Sequence, residues 1–311
     1  MLELTKPLFV AAVIALGGFA APAQAQLART WVSSFGNDAN NCDRPTPCRT
    51  FQHAHDKTLP LGEISVLDPG GYGALTITKG ISIINDGVGE AGLLVSGGTI
   101  GILIEALPTD HVSLRGITVK GIGFGGVNGI LFKTAASLTL ENCVVRNHDG
   151  DGIQMLGDVP ANSFVSFTLS NTFVTDNGGN GIYIQPTGTG HLSVLLNRVE
   201  TYNNSAHGFA VVGAFSGAAV VDSIAAHNGG SGFGAFTQAA LTAKRSVMFN
   251  NRRSGFLVDH AFAALSETVA SGNTNGDIEC TSSFLNTYQD NLASTFSGNN
   301  ANCQVTGIVK F

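Results

Sequence analysis

Short apolar runs separated by polar, glycine-rich turns follow one another along most of the chain. Between residues 63 and 104 each run holds three to five residues, and the turns contain Pro-Gly-Gly, Asn-Asp-Gly and Ser-Gly-Gly. Runs of this length that are rich in Val, Ile and Leu are typical of β-strands. The strands follow each other too closely for helical crossovers, so the pattern excludes a fold built from strand–helix–strand units.

One motif recurs five times between Ser137 and Val258. Each copy ends in a glycine followed by Ile or Phe, and these closing glycines are Gly152, Gly181, Gly208, Gly232 and Gly255. The steps between them are 29, 27, 24 and 23 residues. A period of this size is typical of a solenoid whose coils each contribute a few strands. We expect the closing glycines to adopt positive φ at a turn.

Polar positions recur in register with this motif. Four residues before each closing glycine stand His148, Asn177, Asn204, Asn228 and Asn251. Coils stacked about 4.8 Å apart would let such side chains form a hydrogen-bonded ladder. A second alignment places Asn142, Asn171, Asn197 and Asp222 at equivalent points, with apolar residues two positions to either side. We assign those apolar residues, such as Leu195 and Phe173, to the interior.

Three strands in roughly 25 residues, stacked in register, predict an all-β, single-stranded parallel β-helix of roughly ten coils. Phe51, Ala54 and His55 recur at helical spacing after Thr50, which predicts a short capping helix over residues 49–58. The expected organisation is a signal peptide (1–25), an N-terminal strand and capping helix (26–60), the β-helix (61–278) and a C-terminal cap (279–311).

The first 25 residues predict export. Lys6 precedes an apolar run from Pro7 to Ala21, and Ala23-Gln24-Ala25 fits a cleavage site of the small-x-small type. We therefore expect a secreted or periplasmic protein with no membrane association after cleavage. A retained N-terminal anchor is the alternative.

Five cysteines fit an oxidising compartment. Cys42 and Cys48 can close a small loop, and Cys280 and Cys303 can staple the C-terminal segment, although spacing alone does not fix these pairs. Cys143 is left over, and we interpret it as a small buried residue.

Charge argues against nucleic acid as a partner. Charged residues make up 12% of the chain, the net charge is −6, and no run rich in Lys and Arg is present. Phosphate binding needs a basic surface. The sequence does not determine an oligomeric state.

The segments Val144–Ile153 (V-x-x-N-x-x-G-x-G-I) and Phe173–Ile182 (F-x-x-D-N-G-G-N-G-I) resemble repeats of the pectate-lyase-like right-handed parallel β-helix superfamily. The chain also resembles secreted bacterial β-helix repeat proteins, over nearly all of residues 30–300. The resemblance implies a substrate groove along the strand that follows each closing glycine. The superfamily includes polysaccharide lyases, glycoside hydrolases, epimerases, esterases, phage tailspikes and adhesins, so it does not fix an activity.

On that strand, alternation predicts one outward row. The row consists of Gln154, Tyr183, Ala210, Gly234 and Leu257, preceded by Leu131. It contains no carboxylate, whereas glycoside hydrolysis needs a pair. Tyr183 is a candidate for stacking on a sugar ring, with an ordinary surface aromatic as the alternative. Arg252 and Arg253 are candidates for binding an acidic glycan.

Several ionisable side chains lie in the turn before that row. The candidate catalytic residues are Arg146, His148, Asp149, Asp151 and, two coils later, His207. Arg146 or a histidine would be the base for proton abstraction next to a uronate carboxylate. Asp149, Asp151 and Asp176 are candidate ligands for Ca²⁺, which prefers several oxygen ligands. A solvated polar turn is the alternative interpretation of all of them.

These observations lead to one expectation and two alternatives. We expect an exported β-helix protein that binds extracellular or cell-wall polysaccharide, with modification of the glycan left open. The first alternative is a polysaccharide lyase or glycoside hydrolase that acts on acidic glycans. The second is a structural or adhesive surface protein without catalysis. The absence of an acidic row favours binding or adhesion over catalysis.

Overall fold

The computed structural model describes residues 27–122, 126–288, 290–298 and 303–306. These residues form one helix, α1 (Phe51–Lys57), and 32 strands. In chain order the first strands are β1 (Leu27–Val32), β2 (Thr58–Val66), β3 (Gly70–Gly71), β4 (Leu75–Ile77), β5 (Ile81–Ile84), β6 (Ala91–Val95), β7 (Ile102–Glu105), β8 (His111–Arg115), β9 (Ile117–Gly121), β10 (Ile130–Thr134), β11 (Ser137–Glu141), β12 (Val144–Arg146), β13 (Ile153–Met155), β14 (Asp158–Val159), β15 (Phe164–Thr175) and β16 (Ile182–Ile184). The remaining strands are β17 (Thr187–Gly188), β18 (His191–Tyr202), β19 (Phe209–Val212), β20 (Ser216–Val221), β21 (Ile224–Ala226), β22 (Phe233–Phe236), β23 (Ala240–Lys244), β24 (Val247–Phe249), β25 (Ser254–Asp259), β26 (Phe262–Ser266), β27 (Val269–Ser271), β28 (Gly276–Thr281), β29 (Ser283–Thr287), β30 (Leu292–Ala293), β31 (Phe296–Gly298) and β32 (Cys303–Thr306).

Each coil contributes a strand to each of three faces. The first face contains β1, β2, β5, β8, β11, the start of β15 and β18, β20, β23, β26, β29 and β32. The second face contains β3, β6, β9, β12, the end of β15 and β18, β21, β24, β27 and β30. The third face contains ten strands, β4, β7, β10, β13, β16, β19, β22, β25, β28 and β31.

Every strand of the three faces pairs in parallel with the equivalent strand of the next coil. On the third face, for example, Phe209 lies beside Phe233 and Phe233 beside Phe256. The three rings are at most 1% exposed and form part of a continuous apolar interior. The predicted all-β parallel β-helix of roughly ten coils is therefore confirmed.

The predicted polar ladder is present where the second face turns into the third. It runs from His148 through Asn177, Asn204, Asn228 and Asn251, and continues to Asn273. Each asparagine Nδ2 donates to Oδ1 of the next asparagine at 2.9–3.0 Å. The ladder ends where Asn273 donates to Asp277, which also accepts bonds from Ser294 and Thr295.

The second alignment made from the sequence is correct for Asn142, Asn171 and Asp222, but it is wrong by one residue at Asn197. Asn171 lies beside Arg198, because Ser170 pairs with Asn197. Asn171 and Arg198 both adopt left-handed conformations, with φ of 46° and 53°, and they bend their strands from the first face to the second. Arg198 holds this conformation with a 2.7 Å bond from Nε to Oδ1 of Asn171. Consequently Leu195, expected inside, is 40% exposed, and Leu196 takes the interior position.

Phe173 also faces the solvent rather than the interior. It is 43% exposed, whereas its neighbour Val174 is buried. The same outward row of the second face contains Val144, Glu200, Ile224 and Val247. Apart from Glu200, the side chains at these positions are apolar and lie on the outer surface of the second face.

The closing glycines are required for close packing and do not adopt positive φ. None of them is among the described glycines with φ above zero. A Cβ on Gly181 would lie 2.6 Å from the carbonyl oxygen of Gly208, and one on Gly208 would lie 2.7 Å from that of Gly232. The prediction of positive φ was wrong. These positions require glycine because the neighbouring coil leaves no room for a Cβ, and the turn itself does not need a left-handed backbone.

Helix α1 lies against β1, β2 and β4, the first strands of the solenoid. Its start is as predicted, since the side chain of Thr50 accepts a 3.2 Å bond from the backbone N–H of His53. Phe51 is buried and packs on Tyr72 with the ring centroids 4.9 Å apart. The predicted signal peptide lies outside the described residues. No described helix is long and apolar enough to span a membrane.

Both suggested cysteine pairs are bonded. Cys42 joins Cys48 beside the N-terminal cap, and Cys280 joins Cys303 at the C-terminal end. Cys143 is free and buried. Burial raises the pKa of its thiol to about 11, so Cys143 behaves as a small buried residue, as expected.

Candidate functional site

The outward row of the third face extends to a carboxylate that the sequence analysis missed. Gln154 pairs with Tyr183, Tyr183 with Ala210, Ala210 with Gly234 and Gly234 with Leu257, as expected. The next coil places Glu279 beside Leu257. The ladder position Asn273 lies 22 residues after Asn251, and the same step from Leu257 leads to Glu279. The repeat therefore contained a signal for this residue.

Glu279 forms an ion pair with Arg253 of the preceding coil. Nε and Nη2 of Arg253 lie 3.1 and 3.0 Å from the two carboxylate oxygens, and the hydroxyl of Ser254 also donates to the carboxylate. Burial acts to raise the pKa of Glu279, but the bonds from Arg253 and Ser254 outweigh it and lower that pKa. The pair is part-buried, so the arginine is held on the surface of the face with its guanidinium already desolvated in part.

His207 lies near this pair on the same face. Its Nδ1 accepts a 3.0 Å bond from the backbone N–H of Ser231, which leaves the proton of the neutral ring on Nε2. Burial, together with the charge of Arg253, lowers the pKa of His207 to about 4. At neutral pH the imidazole is therefore uncharged and has one N–H donor for a ligand.

An aromatic side chain borders His207. The ring centroid of Phe236 lies 5.4 Å from that of the imidazole. Phe236 reaches this position by lying over Gly234, where a Cβ would be only 2.7 Å from the ring. A side chain at Gly234 would displace Phe236, so the glycine is needed for this close approach.

We define Tyr183, His207, Phe236, Arg253 and Glu279 as the third-face cluster. Ala210 and Leu257 belong to the outward row, yet both are 0% exposed. Side chains of the neighbouring rows therefore cover the floor of the face at these two points. The cluster combines aromatic surface, one cation, one carboxylate and a neutral N–H donor within a few coils of one face.

Asp151 lies on the third face but is occupied by bonds within the protein. It is 7% exposed, and its Oδ1 accepts from the backbone N–H and Nδ2 of Asn180 at 2.6 and 3.0 Å. Its Oδ2 accepts from Gln154 at 2.8 Å. Asn180 in turn accepts from the backbone of His207 at 3.0 Å. These residues form a second ladder, which places Asp151 in a structural position.

His148, a predicted catalytic residue, is the first member of the interior ladder. Its side chain is buried, and Nε2 lies 3.3 Å from the carbonyl oxygen of Val119. The later ladder residues make the same type of contact, as Asn204 does to Val174. Burial lowers the pKa of His148. The structure therefore corrects the prediction, because a buried imidazole in this row does not face a substrate.

Arg146, a candidate base, lies on the second face. It is paired in register with Lys120 and Thr175, away from the third-face cluster. Its Nε is buried without a hydrogen-bond partner. Arg252 is exposed in the turn next to Arg253. The predicted catalytic residues are thus distributed over the second face, the interior, a turn and the third face, and they do not form one site.

Asp149 and Asp176 are brought together, but Asp151 is not. The two exposed residues line one surface depression of about 580 Å³, which Asn147 and Asn203 also line. Among the described residues, one group of three side chains of metal-ligand type has ligand atoms all within 4.8 Å of one another, and it consists of Cys42, Cys48 and His53. Its two cysteines form a disulfide. The three aspartates therefore do not converge, and calcium binding stays a prediction that rests on Asp149 and Asp176.

Sequence comparison gives one family. Residues 101–274, more than half of the chain, match the family described as right handed beta helix region. A comparison with curated proteins gives no match.

Several solved structures are similar. A pectate lyase superposes with a TM-score of 0.65 at 17% identity, over 89% of this chain and 78% of the other. A rhamnogalacturonan lyase superposes with a TM-score of 0.59 at 13% identity, over 89% and 86%. The A-module of a mannuronan C-5 epimerase from Azotobacter vinelandii gives 0.52 at 13% identity, over 80% and 89%. Identities this low show a common fold alone.

Proposed function

The chain belongs to the right-handed β-helix family, and on this premise we propose that it binds polysaccharide along the outer surface of the third face. The third-face cluster is the observation that carries the proposal. The three solved structures compared above are named for enzymes, two lyases and one epimerase, and the names pectate, rhamnogalacturonan and mannuronan all denote polysaccharides. The same fold alone would not support this function, since β-helices also form adhesins and tailspikes.

An acidic glycan fits the cluster best. The guanidinium of Arg253 is the planar donor that binds carboxylates in bidentate fashion. In the free protein Arg253 donates to the carboxylate of Glu279, at 3.0 and 3.1 Å. A uronate carboxylate can exchange with Glu279, while Tyr183 and Phe236 supply apolar surface for sugar rings. His207 Nε2 adds a donor for a hydroxyl or ring oxygen.

The polar groups also favour one kind of catalysis over another. Glycoside hydrolysis uses two carboxylates in acid and base roles. Near the cluster, Asp151 is bonded within the protein and Glu279 is paired with Arg253. Proton abstraction next to a uronate carboxylate needs a neutral base and a cation on the carboxylate. Arg253 is such a cation. His207 is neutral, but it becomes a base only when its Nδ1 gives up the bond from Ser231, because Nε2 carries the ring proton. A lyase-type or epimerase-type reaction is therefore the second candidate function.

Export is part of the proposal. The predicted signal peptide and the two disulfides agree with a secreted or periplasmic location, where acidic polysaccharides of cell walls and capsules are present.

The test compares two neighbouring arginines. We expect Arg253→Gln to weaken binding to oligogalacturonate and oligoalginate by about tenfold or more, because the bidentate donor is lost. Arg252→Gln is the matched control, since Arg252 is exposed one residue away, and it should bind like the wild type. The double variant Arg253→Gln/Glu279→Gln removes both charges and controls for the fold.

The same samples test turnover. Unsaturated products from either glycan that are lost in His207→Asn would support a lyase. Binding of a glycan without release of products would indicate a binding protein without catalysis. Absence of binding to a glycan array, or equal binding by both arginine variants, would contradict the proposal and favour the structural or adhesive alternative.

A further inference from the structure

A groove runs along the outer surface of the first face, on a different face of the solenoid from the third-face cluster. It has a volume of about 560 Å³ and spans the strands from β8 to β23. We call it the first-face groove. Its floor is one outward row in which Ser166, Ser193, Gly217 and Ala240 follow each other from coil to coil.

Rings close the row at both ends. Before Ser166 come Ser137 and then His111, whose Nδ1 lies 2.6 Å from the hydroxyl of Ser137. After Ala240 comes Phe262, which stacks on Phe284 at 5.4 Å. The five small residues from Ser137 to Ala240 span four coil steps of about 4.8 Å, which makes the floor about 19 Å long.

One side of the groove is an aromatic wall. Phe164 stacks on His191 at 5.2 Å with the planes 17° apart, and the edge of Phe215 meets His191 at 5.6 Å. Phe164 and Phe215 are 76% and 51% exposed. In the coil before Phe164 the lining residue is Ala136. Because its side chain is small, the outer face of the Phe164 ring is open to a ligand.

The chemistry of this lining indicates an uncharged ligand. None of the described residues that line the groove is Asp, Glu, Lys or Arg, in contrast to the third-face cluster with its Arg253–Glu279 pair. Exposed aromatic rings beside a row of hydroxyl groups match a pyranose, which has apolar C–H faces and hydroxyl edges. A lipid chain would match the wall only, and would cover the floor hydroxyls without giving them partners.

We propose that the first-face groove binds an extended, uncharged glycan whose chain lies parallel to the solenoid axis. The length of one sugar in such a chain is close to the spacing of the coils, so successive sugars meet successive residues of the floor. Phe164 stacks on a sugar ring at one end, and Ser166 and Ser193 bond to hydroxyl groups. The site is separate from the one proposed on the third face and takes a different class of glycan.

Gly217 provides a test that does not disturb the fold. A Cβ at Gly217 would meet only the carbonyl oxygen of Leu192, at 3.9 Å, and its φ is not positive. Gly217→Phe should therefore fill the groove while the protein stays folded. Phe164→Ala/Phe215→Ala removes the wall instead. Phe173→Ala, an exposed phenylalanine of the second face, is the matched control.

Isothermal titration with cellohexaose, xylohexaose, mannohexaose and chitohexaose reads out the result. We expect at least one of these neutral oligosaccharides to bind, and both groove variants to weaken it by about tenfold or more. Phe173→Ala and Arg253→Gln should stay within about twofold of the wild type. The Arg253 variant separates this site from the third-face cluster, where binding of an acidic glycan is lost instead.

Two results would overturn the proposal. One is that none of the four oligosaccharides binds, or that binding is unchanged in Gly217→Phe. The other is that light scattering shows a dimer of the wild type that Gly217→Phe converts to a monomer, because the groove would then be an interface between two copies of the chain.

Discussion

Nδ2 of Asn204 donates to Oδ1 of Asn228 at 3.0 Å, and both side chains are at most 1% exposed. The same Oδ1 also accepts the backbone N–H of Asn204, at 3.1 Å. One side chain thus satisfies two donors of the preceding coil. Because buried donors without partners are costly, each ladder residue fixes both the conformation of its own turn and the spacing to the coil before it.

Replacing one ladder residue should destabilise the whole solenoid. Asn228→Ala leaves the two donors of Asn204 and the carbonyl of Thr201 without the partners they have now. At about 1–3 kcal/mol for each unsatisfied group, we expect the free energy of unfolding to fall by at least about 3 kcal/mol. Urea denaturation followed by far-UV circular dichroism measures it.

Asn197→Ala is the matched control for the ladder. Asn197 lies in β18 on the first face, outside the ladder, so its loss should change the free energy of unfolding by less than about 0.5 kcal/mol. Equal destabilisation by the two substitutions would show that the ladder is not what holds the coils together.

Acid should destabilise the protein through His207. The pKa of this residue is lowered from 6.5 to about 4 in the folded chain, so between these values the unfolded state binds more protons. Stability therefore falls as the pH decreases from about 6.5 to about 4, by up to roughly 3 kcal/mol. Chemical denaturation at several pH values measures this slope.

His207→Asn should make the slope shallower. The preceding coil has Asn180 at this position, where its Oδ1 accepts a 3.0 Å bond from a backbone N–H as His207 Nδ1 does. Asparagine therefore keeps the contact and removes the titrating group. His227→Asn, at an exposed position, is the control and should leave the slope unchanged. The same slope in all three proteins would contradict the assignment to His207.

The two disulfides should stabilise opposite ends of the solenoid. Cys280 and Cys303 are 23 residues apart, and Cys42 and Cys48 are six apart. Loop-closure entropy predicts losses of about 3 and about 2 kcal/mol when each pair is replaced by serine. The only tryptophan, Trp31, bonds through its backbone to Cys42 and Cys48, so its fluorescence reports on the N-terminal end.

The two serine variants should differ in which spectroscopic probe changes first during unfolding. Without the Cys42–Cys48 bond, we expect the Trp31 fluorescence transition to precede the loss of circular dichroism. Without the Cys280–Cys303 bond, circular dichroism should change first, since coils of a solenoid contact only their neighbours. Coincident transitions in both variants would show that the ten coils unfold as one unit.

Calcium binding, where it occurs, should depend on Asp149 and Asp176. These carboxylates line one depression with two asparagine side chains, whereas Asp151 is occupied by Asn180 and Gln154. Two carboxylates predict weak binding, with a Kd on the order of 10⁻⁴–10⁻³ M. We expect millimolar Ca²⁺ to raise the Tm, and Asp149→Asn/Asp176→Asn to abolish the increase.

Asp158→Asn is the control for calcium, because Asp158 is an exposed carboxylate in β14, outside this depression. It should keep the increase in Tm. No change of the wild-type Tm with Ca²⁺, or an increase that survives in the double variant, would rule out this site.

The alignment of Asn197 illustrates what a repeat does not reveal. Asparagine tolerates a left-handed conformation better than other residues with a Cβ, so local preference alone favours Asn197 over Arg198 at the bend. The chain places Arg198 there instead, with φ of 53°. Parallel pairing with Asn171, and the bond between their side chains, outweighs the local preference.

The third-face cluster was predicted only in part. Tyr183, His207 and Arg253 are irregular residues within a regular motif, and this made them candidates. Glu279 was missed because it is found only when the coil step is continued past the five copies of the motif. Phe236 was missed because no repeated position marks it. Their contacts with Arg253 and His207 join residues 26 and 29 positions apart in the chain.

The sequence by itself determined the solenoid, its three strands per coil, the polar ladder, the capped helix start at Thr50 and the candidate cysteine pairs. Each of these depends on a spacing that repeats or on a contact within a few residues. Only the tertiary structure decided that His148 is interior, that Asp151 is bonded to Asn180, and that Arg253 faces Glu279. These outcomes depend on which side chains stack between coils, and one residue of register moves a side chain from the interior to the surface.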